Sequence, residues 1–137
     1  MHSRTKQLIS LVIVLAVAGA LAFALFQPAQ TSKYPPLPTV WGWVTYSHQD
    51  CEYTDYDTVR IRPKGGTTIA KTTVHLTGRP PRQHYEYDFG EFLESAGYYE
   101  ITGLQGICGC ATDIYEIYFD GLHTVRQDID FSIAPLR

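Results

Sequence analysis

The sequence lacks the short motifs that mark common catalytic and phosphate-binding sites. It contains no Gly-x-Ser-x-Gly, no His-Glu-x-x-His and no glycine-rich loop that could cradle a phosphate. His48, His75, His84 and His123 fall in different predicted strands or loops. Cys51 lies close to His48 in sequence, but nothing else in the chain supports a catalytic dyad. We therefore expect a protein that is not an enzyme and that needs no cofactor.

The sequence also lacks the excess of positive charge that a nucleic-acid surface requires. From residue 39 onward it has eight Lys or Arg and fourteen Asp or Glu, a formal charge of minus six, whereas the whole chain carries minus three. Binding to phosphate groups needs a basic field. Nucleic acid is therefore not an expected partner.

Charge is absent from one long segment, Leu8 to Phe26, in which Ser10 is the only hydroxyl residue. As a helix it would be roughly 28 Å long, close to the roughly 30 Å of a bilayer's hydrocarbon core. Arg4 and Lys6 precede it, which favours a cytoplasmic N-terminus. We predict that residues 1–7 are cytoplasmic, that residues 8–26 form a transmembrane helix in contact with membrane lipid, and that residues 27–137 are extracytoplasmic.

Two other interpretations of this segment remain open. A cleaved secretory signal is suggested by the small residues Ala22 and Ala24, and the protein would then be secreted. The apolar region of a signal usually has about 7 to 15 residues, which favours the uncleaved anchor. A pilin-type helix packed inside a filament fits the basic start, but Thr5-Lys6-Gln7 lacks the Gly or Ala and the Glu that are typical of such precursors. Every interpretation exports the C-terminal part.

The exported part consists of a linker and one small domain. Residues 27–38 contain four prolines and predict an extended, polyproline-like spacer. Residues 39–137 are sufficient for a single hydrophobic core. The many Tyr, Trp and Phe residues of this part suit a β-sandwich or an interaction surface.

Alternation of apolar and polar residues predicts seven short strands in this domain and no helix. Asp120-Gly121 predicts a tight turn that pairs the last two strands as a hairpin. Aromatic and β-branched residues on both faces of the first strand predict that it is covered on both sides, and Gly42 indicates close backbone approach or a bulge. The predicted fold is all-β, a seven-stranded antiparallel β-sandwich with prealbumin-like or Ig-like strand order, preceded by one N-terminal hydrophobic α-helix. The predicted strands are 39–46, 58–62, 67–76, 84–89, 98–104, 114–119 and 122–133.

Three stretches resemble the carboxypeptidase regulatory-like domain, a prealbumin-like sandwich. They are the opening Val40-Trp41-Gly42-Trp43-Val44-Thr45, the segment Gly97-Tyr98-Tyr99-Glu100-Ile101-Thr102-Gly103-Leu104, and the turn Asp120-Gly121-Leu122. The middle segment is similar to the family's Gly-x-Tyr-x-Ile-x-Gly-Leu. The resemblance implies a non-catalytic accessory or adhesion-like module.

Three cysteines, Cys51, Cys108 and Cys110, lie in the part predicted to be exported. In an oxidising compartment we expect Cys51 to form a disulfide with Cys108 or Cys110, leaving one thiol over. A zinc or copper site of Cys108, Cys110 and either His123 or His48 is the alternative. It lacks a second spaced cysteine pair, so the disulfide is favoured and no metal is expected there.

Two further sets of residues are candidates for binding. Asp50, Glu52, Asp55 and Asp57 offer the oxygen ligands that calcium uses, although an acidic solvated loop explains them equally well. Aromatic residues outside the core are candidates for protein contacts, and the first of these are Trp41, Trp43 and Tyr98.

The predicted function is a membrane-anchored, non-catalytic module that interacts with other envelope or surface proteins. The alternative is a structural subunit of an extracellular filament or surface layer. Such a subunit would self-assemble through its N-terminal segment or through strand addition at an exposed sheet edge.

Overall fold

The computed structural model describes residues 10, 12–19, 35–107 and 109–135, and the chain forms two compact units, Met1–Pro35 and Pro36–Arg137. In the first unit, residues 10 and 12–19 are helical. None of the helical residues that the structure describes belongs to a helix long and apolar enough to cross a membrane. The remainder of the predicted segments 1–7 and 8–26, and residues 27–34 of the predicted linker 27–38, lie outside the described residues.

The second unit is all-β, as predicted. Each of the seven predicted stretches contains a strand; the third and the seventh are each divided into two, and β7 was not predicted. The strands are β1 (Thr39–Thr45), β2 (Thr58–Pro63), β3 (Ala70–Thr73), β4 (His75–Thr77), β5 (His84–Glu91), β6 (Gly97–Leu104), β7 (Ala111–Thr112), β8 (Tyr115–Phe119), β9 (Val125–Arg126) and β10 (Ile129–Ile133).

The ten strands form one sheet that is nearly closed into a barrel. Their order is β3-β2-β6-β7-β10-β1-β5-β4, with β8 paired to β6 and β9 paired to β1. β3 and β4 follow each other in the chain, yet they lie at opposite ends of this order, because the segment bends at the buried Val74. Thr72 Oγ1 on β3 also donates a hydrogen bond to the Asp88 carbonyl on β5. One extended segment therefore almost joins the two ends of the sheet.

The predicted hairpin around Asp120-Gly121 is wrong. β8 pairs with β6, whereas β9 and β10 pair with β1, and they do so in parallel, which also departs from the predicted all-antiparallel arrangement. The turn itself is present, because Asp120 Oδ1 accepts the backbone N–H groups of Leu122 and His123. An Asp-Gly pair reverses the chain but does not determine which strands pair. Here the turn leads from β8, which lies beside β6, to β9, which lies beside β1.

The core is built by alternate residues along the strands, which face inward. On β1, Val40 and Val44 are buried, while Trp41 and Trp43 face outward and Trp43 is 43% exposed. The prediction that β1 is covered on both faces is therefore wrong, because only its inner face packs against the core. The largest fully buried side chains are Tyr87, Phe119, Phe131, Ile61, Ile101 and Ile129.

Gly42 occupies a point of close backbone approach, as predicted. A Cβ atom at this position would collide with the carbonyl oxygen of Gln127 and would lie 3.0 Å from Cε1 of Tyr87. The chain that follows β9 can therefore come this close to β1 only where β1 has no side chain.

Substitution of Gly42 by Ala is expected to lower the free energy of unfolding by about 1–3 kcal/mol, because a backbone carbonyl must move to accommodate the methyl group. Urea denaturation of the full chain measures this change. Gly97→Ala is the matched control, since the nearest atom to its Cβ is 4.0 Å away on Tyr99. Equal unfolding midpoints for the two variants would contradict the close approach.

Candidate functional site

The outer face of β1 carries a compact group of aromatic and charged side chains. The guanidinium carbon of Arg126, on β9, lies 5.0 Å from the ring centroid of Trp41 and 4.4 Å from that of Trp43. Trp41 and Arg126 are partners in the β1–β9 register, so the sheet itself brings them together. On the other side, the ring of His84 lies 4.7 Å from that of Trp43. We call Trp41, Trp43, His84, Arg126 and Asp128 the tryptophan–arginine surface.

Asp128 holds this group in place. Its two carboxylate oxygens accept hydrogen bonds from Nε and Nη2 of Arg126 at 3.0 and 3.1 Å, and Oδ1 also accepts the backbone N–H of Trp43 at 2.9 Å. Partial burial acts to raise the pKa of Asp128, but the hydrogen bonds from Arg126 and Trp43 outweigh it and keep the pKa below its ordinary value. Arg126 is thus oriented by a carboxylate and by two aromatic rings, each cation–π contact contributing about 0.5–1 kcal/mol at an exposed site.

A row of polar side chains continues this surface across the neighbouring strands. His75 on β4, Glu86 on β5 and Trp43 on β1 are aligned by the strand register. The Glu86 carboxylate lies 3.3 Å from Nε2 of His75 and 3.2 Å from Nε2 of His84. The tryptophan–arginine surface is therefore bordered, next to His84, by the Glu86 carboxylate and the His75 imidazole.

The structure unites two of the three predicted contact residues and separates the third. Tyr98 lies on β6, where its ring is 5.2 Å from that of Tyr118 and 6.0 Å from Nζ of Lys64. His84, Arg126 and Asp128 were not predicted as site residues. The outward alternation of Arg126 and Asp128 was visible in the sequence, but their pairing with β1 was not.

The predicted disulfide is confirmed, with Cys110 as the partner of Cys51. The two residues are 59 positions apart in sequence and their Cα atoms are 5.9 Å apart. Cys108 lies outside the described residues. Because its sulfur is in the disulfide, Cys51 is not a thiol nucleophile for His48, and neither it nor Cys110 is available as a thiolate ligand.

The acidic stretch that contains Asp50, Glu52, Asp55 and Asp57 is divided between the surface and the interior. Asp57 is fully buried, whereas Glu52 and Asp55 are exposed and Asp55 accepts a hydrogen bond from the Tyr53 hydroxyl. Within the described residues, no three His, Cys, Asp or Glu side chains are grouped so that they could hold a metal ion. The stretch is therefore not arranged as a set of converging calcium ligands.

Asp57 is the centre of a buried hydrogen-bond network. Its Oδ2 accepts the Tyr46 hydroxyl at 2.7 Å, the backbone N–H of Thr54 at 3.0 Å and Nε2 of Gln105 at 3.0 Å, and its Oδ1 accepts the Thr54 hydroxyl at 2.6 Å. Burial and the bond to Asp57 raise the pKa of the Tyr46 phenol well above its usual range. Gln105 Nε2 also donates to the Glu52 carbonyl, and the Gln105 backbone N–H donates to the carbonyl of Cys110. This network fastens the acidic stretch beside the disulfide.

The fold and the site together define an all-β domain with an internal disulfide and an exposed tryptophan–arginine surface. No protein-family model, curated protein or solved structure matches the chain.

Proposed function

We propose that the chain is a single-pass membrane protein, anchored by residues 8–26, whose exported domain binds another protein of the envelope or cell surface through the tryptophan–arginine surface. The observation that carries this proposal is the placement of Arg126 over two outward-facing tryptophans. Tryptophan and arginine are the residue types most enriched among the energetically dominant contacts of protein interfaces. In this domain they are adjacent, oriented and accessible.

The disulfide supports an exported location for the domain. Disulfides persist in oxidising compartments and are rare in the reducing cytosol. The charge-free length of residues 8–26 and the basic residues Arg4 and Lys6 before it favour an anchor with a cytoplasmic N-terminus.

A protein partner fits this surface better than a sugar does. A pyranose ring stacks on an open aromatic face, but two groups, the Arg126 guanidinium and the His84 imidazole, already pack on the ring of Trp43. The surface also presents carboxylates and imidazoles, which can pair with polar groups at the rim of a protein interface. Relationship to the carboxypeptidase regulatory-like domains, and with it a seven-stranded prealbumin-like sandwich, would agree with an accessory role of this kind.

Truncation of Trp43 or Arg126 to Ala is expected to weaken binding to the partner by about thirtyfold or more, because hot-spot truncations cost about 2 kcal/mol or more. A photo-crosslinking amino acid introduced in place of Thr45, an exposed outward residue of β1, captures the partner in intact cells. The measured quantity is the yield of the crosslinked product in the background of each variant.

Tyr98→Ala is the matched control, because Tyr98 is an exposed aromatic residue on β6, away from the tryptophan–arginine surface. Its crosslink yield should equal that of the wild type. Equal yields from all three variants would contradict the assignment of the surface. Membrane fractionation, combined with mass spectrometry of the native N-terminus, tests the anchor separately. The anchor requires that the uncleaved chain is recovered with the membranes.

A further inference from the structure

β8 has a free edge. In the part of the chain that the structure describes, β6 is the only strand that pairs with β8. Among the described residues, no further strand covers the other edge of the five residues of β8. Such an edge presents backbone donors and acceptors to any strand that can align with it.

The hydrogen bonds of the neighbouring strands identify which residues of β8 face this free edge. The Tyr98 carbonyl accepts the Lys64 backbone N–H, so Tyr98 directs its backbone groups toward β2, and Tyr99, the next residue, directs its groups toward β8. Tyr99 is the register partner of Ile117. Ile117 therefore exchanges backbone hydrogen bonds with β6, and the backbone groups of Glu116 and Tyr118 point to the free edge.

We infer that this edge pairs with the same edge of a second copy of the chain, in an antiparallel register with the two-fold axis at Ile117. Glu116 of each copy then exchanges two backbone hydrogen bonds with Tyr118 of the other. The resulting sheet runs continuously through β3-β2-β6-β8 of one copy and the same four strands of the second. This inference concerns a different surface from the one proposed above for the partner protein.

Charge selects this register over its neighbours. A two-fold axis at Glu116 would place two Glu116 side chains directly opposite each other. An axis at Tyr118 would place Glu116 opposite Asp120. Like charges directly opposite each other across paired strands are destabilising. Only the axis at Ile117 places each Glu116 carboxylate opposite a tyrosine and leaves no like charges directly opposed across the new strand pair.

The side chains around the edge are compatible with this pairing. Glu116 is already bound by Nζ of Lys64 at 2.6 Å, so its charge is compensated on the side of β2. Tyr98 and Tyr118, which are 57% and 56% exposed, form one row on the outer face of the sheet, and the second copy would extend that row.

Cysteine crosslinking tests the register. The full chain, purified in detergent with Cys108→Ser to remove the third thiol, is prepared as Glu116→Cys with one tag and Tyr118→Cys with another. The paired residues would have Cα atoms about 5.5 Å apart, within the range of a disulfide. Mild oxidation of the mixture should link the two tags. Each variant alone should give little dimer, because diagonal positions lie about 7–8 Å apart. Absence of a product that carries both tags, or equal yields from either variant alone, would overturn the inference.

A proline variant tests the edge by itself. Glu116→Pro removes an N–H that faces the free edge and so spares the hydrogen bonds between β6 and β8. It should convert the dimer to monomer in sedimentation velocity of the full chain. Glu116→Thr is the matched control, because it also loses the bond to Lys64 but keeps the N–H, and it should remain dimeric. A dimeric proline variant would overturn the inference, and the crosslinking result decides the matter if that variant does not fold.

Discussion

Loss of the Cys51–Cys110 disulfide is expected to lower the free energy of unfolding by about 4 kcal/mol. The bond closes a loop between residues 59 positions apart, and it restricts the unfolded chain by the entropy of closing a loop of that length. A domain of this size has a total stability of about 5–15 kcal/mol. The disulfide therefore accounts for a large fraction of what keeps the domain folded.

Equilibrium urea denaturation, followed by tryptophan fluorescence, measures this effect. The double variant Cys51→Ser, Cys110→Ser and the wild type under a reducing agent should both show the loss, whereas Cys108→Ser without reductant should retain the wild-type midpoint. A loss of less than about 1 kcal/mol would mean that the acidic stretch and the segment before β7 hold together without the covalent bond, contrary to the loop-entropy estimate.

Removal of the Asp57 carboxylate is expected to have an effect of similar size. Asp57→Ala leaves the Tyr46 hydroxyl and the Thr54 backbone N–H without the acceptor that the structure provides, and it leaves Gln105 Nε2 with the Glu52 carbonyl as its remaining acceptor. Each donor that stays unsatisfied in the interior costs about 1–3 kcal/mol. We expect a loss of about 3 kcal/mol or more in the free energy of unfolding.

Two variants separate the network from general sensitivity of the acidic stretch. Asp57→Asn keeps an oxygen that can accept three of the four hydrogen bonds, and it should cost clearly less than Asp57→Ala. Asp55→Ala removes an exposed carboxylate four positions after Cys51, and its effect should stay within about 0.5 kcal/mol. Equal losses for Asp57→Ala and Asp55→Ala in urea denaturation would contradict the structural role of the buried carboxylate.

The disulfide and the Asp57 network hold the same segment, so their contributions are not independent. Gln105 bonds to Asp57 through its side chain and to Cys110 through its backbone. Residues that share one network show coupling energies of about 0.5–3 kcal/mol. The triple variant that lacks both features is therefore expected to lose less stability than the two separate losses added together.

Much of the local structure follows from the sequence alone. The alternation of Val59 and Ile61 with Arg60 and Arg62 is plain in the sequence, and in β2 both aliphatic residues are buried, Arg60 is exposed and Arg62 is half-buried. Gly42 indicated a close backbone approach or a bulge, because it has no side chain. The three cysteines indicated a disulfide of Cys51 with either Cys108 or Cys110. Each of these features depends on the residue itself or on its immediate neighbours in sequence, and the sequence of one chain is enough to predict such features.

The pairing of distant segments was decided only by the tertiary structure. Asp120-Gly121 predicts a turn but does not determine which strand pairs with β8, and the folded chain places β8 beside β6. That choice gives β8 its free edge and sends Arg126 to Trp41, so both proposed interaction surfaces depend on it. The burial of Asp57 is of the same kind, because its donors Tyr46 and Gln105 are 11 and 48 residues away and only the fold brings them to one carboxylate.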